Sequence, residues 1–301
     1  MGRLGALSLH SFDARMIVLC AAAWFEMGLF TQALSRRADE VAQSMRFFLC
    51  YLCSTMAIVI LQHSSDCPAD LLMDSLRHHG QRLRVIQLNT GGIVPADLDD
   101  VHGVISLGGP QTVHLNDAPW MAAEKAFMKM AHDANVPVLG LCLGAQLLAS
   151  ALGGETQAMK KSELGWQTVK LNNVGREDAL FAGHPWASLK MCWHSDEVTK
   201  LPAGGQILAG SEACPIQVFS VGLRSYGIQF HPEWNRATIL KQINGSTAKF
   251  QSAGIDVNTL RLQTEANAAE QERLGRRFFD AVNSLLMPGD RVHEGVAANH
   301  R

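Results

Sequence analysis

The sequence has no basic block. Its 301 residues carry 26 Lys and Arg against 28 Asp and Glu, a formal net charge of −2. A nucleic-acid interface would need positive charge gathered on one face, so that class of partner is not expected. A disulfide framework is also missing. The seven cysteines are odd in number and follow no regular spacing, which suits a reducing, cytoplasmic setting. Cys50 and Cys53 form a CxxC, but no second Cys pair or His pair completes a zinc site. Internal repeats and low-complexity tracts are absent. So is a convincing membrane span: residues 16–34 are mostly apolar but barely long enough, with Glu26 near their middle. What is present is a hydrophobic fraction of 47%, enough for one large domain or two small ones.

Residues 1–55 show no amphipathic periodicity that would pack on a domain. They are expected to be an N-terminal extension: a poorly ordered leader or the product of a mis-chosen start, with Met56 as the alternative start codon. A targeting segment is the competing reading. From Met56 onward strands and helices alternate. Met56–Gln62, Leu83–Leu88, Gly103–Leu107 and Val136–Leu141 read as short apolar strands. Pro68–His79, Ala118–Ala134 and Leu143–Leu152 read as helices between and after them. Strands that are apolar throughout and alternate with helices predict an α/β fold, a parallel sheet covered on both faces. Beyond Gly153-Gly154 come short strand candidates at Trp166–Leu171, Leu189–Trp193, Gln206–Gly210, Ile216–Phe219 and Ser225–Phe230, an antiparallel or mixed extension. A helix is expected from Glu233 to Ile243, a loop over 244–259, and a long helix over Thr264–Leu286 with an apolar stripe through Leu274, Phe278, Val282 and Leu285.

The run Gly-Leu-Cys-Leu-Gly-Ala-Gln at 140–146 puts one thiol, Cys142, where a strand turns sharply into a helix. A thiol there is expected to face solvent and the positive end of the helix, which lowers its pKa and exposes the sulfur. An ordinary turn with a buried, inert Cys is the plainer alternative. A nucleophile needs a base, and the base an orienting group. His231 follows the apolar strand SYGIQF and opens His-Pro-Glu-Trp, with Glu233 two residues on. A His at a strand's C-terminal end shares the edge where Cys142 emerges and where open α/β sheets bind ligands. Gly108-Gly109 ends a neighbouring strand and leaves N–H groups that an oxyanion can approach; the Leu143 N–H is the second natural donor.

Ile105-Ser-Leu-Gly-Gly-Pro110, Gly140-Leu-Cys-Leu-Gly-Ala-Gln146 and Gly227-Ile-Gln-Phe-His-Pro-Glu233, in that order, resemble the three motifs of a class I (triad) glutamine amidotransferase domain. Cys-Trp-His-Ser-Asp196 and Gly210-Ser-Glu-Ala-Cys-Pro215 are similar to segments of the subgroup containing the amidotransferase half of GMP synthase. The resemblance implies a three-layer, flavodoxin-like α/β domain over 56–240, with a mostly parallel central sheet, followed by a helical C-terminal extension, 241–301, packed on it. It implies that Cys142 attacks a γ-glutamyl carbonyl, that His231 shuttles the proton, that Glu233 orients His231, and that Gly109 and Leu143 hold the oxyanion. Gln146 and Gly108 are the expected substrate-side residues, Lys161–Trp166 a wall of the cleft, and His194 and Asp196 supporting groups; His114, His184 and the His78-His79 pair are read as surface residues. Neither a metal nor a cofactor is implied. The chain has no glycine-rich phosphate loop of a synthase. The implied activity is therefore hydrolysis of the glutamine γ-amide, with ammonia passed to a separate synthase subunit. The alternatives are a γ-glutamyl peptidase acting on compounds such as glutathione, or a non-catalytic regulatory module of the same fold.

Overall fold

The computed structural model describes residues 56–289; the expectations for residues 1–55, including the Cys50–Cys53 pair, lie outside them. The elements are β1 (Ala57–Gln62), α1 (Asp70–His78), β2 (Leu83–Gln87), β3 (Val101–Ser106), α2 (Met121–Asp133), β4 (Val138–Leu141), α3 (Leu143–Ala151), β5 (Glu155–Leu171), α4 (Asn173–Glu177), β6 (Ala187–Lys200), β7 (Gly205–Gly210), β8 (Val218–Val221), β9 (Ser225–Ile228), α5 (Arg236–Gly245), α6 (Thr247–Ser252) and α7 (Val257–Ala281), which runs into a π-helical turn at Val282–Leu286.

One nine-stranded sheet has the order β2-β1-β3-β4-β9-β8-β7-β5-β6. The first five strands are parallel and the rest antiparallel. Apart from the edge strand β2, which is mostly exposed, the parallel half is buried on both faces because its strands alternate which core they feed. On β1, Ile58 and Ile60 join a core with Leu71, Leu72 and Leu76 of α1 and Phe278 and Phe279 of α7. Their neighbours Val59 and Leu61 join the opposite core, with Phe127 and Met128 of α2 and Leu147 and Leu148 of α3. A side-chain period of two makes this division automatic once the strand is central.

Five elements depart from the sequence expectation. The helix expected from Glu233 begins at Arg236, because Asn235 caps it through the Thr238 N–H at 2.9 Å. The expected 244–259 loop contains α6, and α7 begins seven residues before Thr264, where Asp256 accepts the Thr259 N–H at 2.9 Å. The short strands expected at Trp166–Leu171 and Leu189–Trp193 are the inner parts of a long hairpin, β5 with 17 residues and β6 with 14. Its outer reach is polar and exposed, so it lacks the apolar run on which a strand assignment rests.

Candidate active site

β3, β4 and β9 run parallel and end at one edge, so the segments after them converge. Strand pairing continues past the end of β4: the Cys142 N–H donates to the Ile228 carbonyl at 2.7 Å. The chain then turns within one residue. Cys142 has φ 52° and ψ −106°, a left-handed backbone strained for any residue with a Cβ. The turn is possible because helix α3 can start against the strands. A Cβ on Gly140 would lie 2.3 Å from the Gly144 carbonyl oxygen, and one on Gly144 only 2.1 Å from that of Ser106. Gly140 and Gly144 are thus present for close approach rather than for flexibility.

Cys142 sits at the floor of a cleft of about 330 Å³, whose lining includes Gly109, Leu143, Gln146, Trp193, Asp196 and His231. Its exposure is 5%, so the expectation of a thiol facing solvent with a lowered pKa is corrected. Burial pushes the Cys142 thiol up to about 12, and the Glu233 charge raises it further. A hydrogen bond from the Leu143 N–H and the Lys249 charge act in the opposite direction but do not prevail. At this site desolvation outweighs the helix N-terminus. Burial thus favours the neutral thiol in the free protein. Iodoacetamide is expected to alkylate Cys142 slowly at pH 7, with a rate that climbs through pH 9 without levelling off. A plateau below pH 8, read by peptide mass mapping, would mean a preformed thiolate.

His231 is buried, with its N–H donating to the Met191 carbonyl at 2.9 Å and its own carbonyl accepting from Gln271 Nε2 at 2.9 Å. The ring is fixed on two sides. Nδ1 meets Glu233 Oε1 at 2.7 Å, and Trp234 stacks on the ring face at 3.7 Å. Gly108 is the third constraint: a Cβ there would lie 2.9 Å from His231 Cε1 and 3.6 Å from Cys142 Cβ. Cys142, His231, Glu233, Gly108, Gly109 and Leu143 are therefore gathered at one place. Gln146 lines the same cleft, but its amide donates to the Asp196 carbonyl at 3.0 Å and to Gln229 Oε1 at 3.2 Å. What it has left for a substrate is its carbonyl oxygen.

The deciding comparison is with known families. The profile described as Glutamine amidotransferase class-I matches residues 66–242, more than half of the chain. The chain belongs to the class I glutamine amidotransferase family. Curated relatives include a GMP synthase [glutamine-hydrolyzing] from Ectopseudomonas mendocina, 38% identical over 144 residues, and one from Haemophilus ducreyi, 40% identical over 137. Each alignment covers 44% of this chain and 25% of the relative, so the chain spans about a quarter of the length of these synthases. Among solved structures, a glutamine amidotransferase from Methylobacillus flagellatus is 24% identical with a TM-score of 0.70, covering 79% of this chain and 98% of its own. One from Thermotoga maritima is 22% identical with a TM-score of 0.68, covering 77% and 99%. At these identities the likeness is one of fold: a class I amidotransferase α/β fold, with the C-terminal helices present.

Within this amidotransferase fold, some sequence expectations change place. Lys161–Trp166 does not line the cleft. Glu163 acts from behind, its Oε2 meeting His194 Nε2 at 3.0 Å and its Oε1 accepting from Ser211 at 2.6 Å. His114 is exposed, as read from the sequence, and its Nδ1 lies 3.9 Å from Asp196 Oδ2. Glu163, Cys192 and His194 place three buried donor atoms within 4.8 Å of one another. Both nitrogens of His194 are engaged, Nδ1 with the Asp196 carbonyl at 3.0 Å, and burial holds the Cys192 thiol well above its ordinary range. Glu163 and His194 form a hydrogen-bonded support for the His194–Asp196 wall, and the Cys192 sulfur accepts from Gln217 Nε2 at 3.8 Å.

Other contributors escaped the sequence reading. His63 ends β1 at the functional edge. Its Nε2 meets Glu124 at 2.8 Å, its Nδ1 faces the Gly108 carbonyl at 3.4 Å, and Glu124 also accepts from Ser106 at 2.6 Å. This buried network backs the Gly108-Gly109 turn. The rule that placed His231, a His at a strand's C-terminal end, would also have found His63. Cys67, Trp193 and Lys249 line the cleft too. Among the described residues no helix is long and apolar enough to cross a membrane.

Proposed function

We propose that the chain hydrolyses the γ-amide of glutamine through a glutamyl thioester on Cys142. The observation that carries this reading is the pairing of His231 Nδ1 with Glu233 at 2.7 Å in the cleft that Cys142 floors. Glu233 occupies Nδ1, which leaves Nε2 to take the thiol proton as the sulfur attacks the γ-carbonyl. Because burial favours the neutral thiol, the transfer on this reading accompanies attack. The N–H groups of Gly109 and Leu143 receive the oxyanion. His231 then protonates the leaving amine, the C–N bond breaks and ammonia departs. Water, deprotonated by His231, attacks the thioester and releases glutamate and the free thiol. The sum is glutamine plus water giving glutamate plus ammonia, with no redox change. On this reading a separate synthase subunit takes the ammonia; the name of the relatives, GMP synthase [glutamine-hydrolyzing], supports an acceptor of that kind.

A γ-glutamyl peptidase would use the same atoms and differ only in the leaving amine. The test is glutamate release from glutamine beside glutathione. Turnover of glutamine supports the amidotransferase reading, and turnover of peptides alone the peptidase. Silence on both, with no labelling of Cys142 by a glutamine-analogue electrophile, would leave only the regulatory-module reading. Glu233→Gln is expected to lower kcat by roughly 10²- to 10⁴-fold with KM little changed, because the amide cannot stabilise the imidazolium or select its tautomer. An unchanged kcat would remove Glu233 from the mechanism.

A further inference from the structure

The cleft is closed on one side by α5 and α6; the matched family span ends at residue 242, within α5, so α6 lies beyond it. α5 and α6 carry Gln242 and Lys249 into its lining. The segment is fixed in place. Phe250, fully buried, meets Trp193 edge-on at 4.9 Å; Trp193 meets Trp234 at 5.9 Å; and Trp234 stacks on His231. On the outer side, Lys241 pairs with Asp66 at 3.3 Å and Gln242 donates to the Asp66 carbonyl, joining α5 to the turn before α1. Lys249 is therefore held over the cleft by packing at the next residue.

The charges around it are otherwise matched. Asp66 faces Lys241, Asp196 faces His114, Glu233 faces His231 and Glu163 faces His194. Lys249 has no carboxylate partner among the described residues, and its charge reaches Cys142. An exposed ammonium at the wall of a binding cleft, without a carboxylate partner of its own, is matched by an anionic group on the ligand.

We propose that Lys249 is the specificity residue that recognises a carboxylate of the γ-glutamyl substrate. The proposal rests on the preceding reading of the cleft. The carboxylate has two sources: the α-carboxylate of the glutamyl group, or a carboxylate on the leaving amine of a γ-glutamyl peptide.

Two measurements test it. The first needs no turnover. The rates at which iodoacetate (anionic) and iodoacetamide (neutral) alkylate Cys142 are compared at pH 8.5 and low salt, with peptide mapping to separate Cys142 from Cys67. The ratio of anionic to neutral rate is expected to fall roughly two- to fivefold in Lys249→Gln, the scale of one exposed charge pair. It should fall further in Lys249→Glu and stay near wild type in Lys249→Arg. A ratio that ignores all three substitutions overturns the proposal, whether or not the chain proves to be an amidotransferase.

The second uses glutamine, a γ-glutamyl dipeptide with a free C-terminus, and the same dipeptide amidated. A rise in KM for all three in Lys249→Gln, with kcat retained, assigns the α-carboxylate. A rise for the free dipeptide alone assigns the leaving group. Unchanged KM for every substrate turned over overturns the proposal. If wild-type protein turns over none of them, the hydrolase reading fails while the alkylation ratio still decides the role of Lys249.

Discussion

Replacing Cys142 with Ala is expected to abolish glutamate release, a fall of roughly 10⁴-fold or more in kcat, the scale seen when a nucleophile is lost from a triad that works as a unit. Among the described residues the other thiol lining the cleft is Cys67; it lies on the turn before α1, off the strand-to-helix elbow, and is not expected to substitute. Loss of folding is separable from loss of chemistry at this position. Alanine keeps the Cβ that the left-handed backbone, φ 52°, disfavours, so its stability should stay close to that of wild type. Cys142→Gly removes the Cβ, should be equally inactive, and should unfold at higher free energy by about 1 kcal/mol. Glutamate assay and thermal melts on the two variants check this together. Activity surviving in either would mean that the sulfur is not the attacking group.

Gly144→Ala is expected to cost about 3 kcal/mol or more, lowering Tm by about 10 °C. The new Cβ would stand 2.1 Å from the Ser106 carbonyl oxygen and 2.6 Å from its carbonyl carbon. Neither side has room to retreat. The Gly144 N–H donates to the Leu107 carbonyl at 3.1 Å, and Ser106 is held from behind by Glu124 at 2.6 Å. Relief requires lifting the first turn of α3 off β3, which moves Cys142 and the Leu143 N–H and so lowers activity as well. Gly245→Ala is the control. A Cβ there meets nothing within 4 Å, and its Tm should stay within about 2 °C of wild type. Equal melting of the two alanine variants would mean that the elbow tolerates a wider spacing than the fold displays.

The central parallel strands were legible because they are buried on both faces and read as continuous apolar runs such as Ala57–Leu61. The outer hairpin of β5 and β6 was not. Its polar, exposed residues pair through the backbone, and backbone pairing leaves no side-chain signature. α6 was hidden for a related reason: six residues carry too little periodicity, and the helix exists because Phe250 packs against Trp193.

For the site, the residue types and their order along the chain determined the chemistry proposed. A Cys between close-packing glycines, a His-Pro-Glu after a strand and a Gly-Gly at a strand end point to the proposed nucleophile, base with its carboxylate and oxyanion turn, since each role demands a particular functional group at a particular backbone geometry. Only the tertiary structure decided the state of the sulfur and the shape of the cleft around it. A thiol pKa depends on the water removed by neighbours distant in sequence, here enough to overturn the expectation of an exposed, acidified cysteine. The supports of the site come from equally remote segments, His63 with Glu124 behind the oxyanion turn and Lys249 on a helix without sequence signal. Through-space packing and desolvation place them, and neither quantity is written in local pattern.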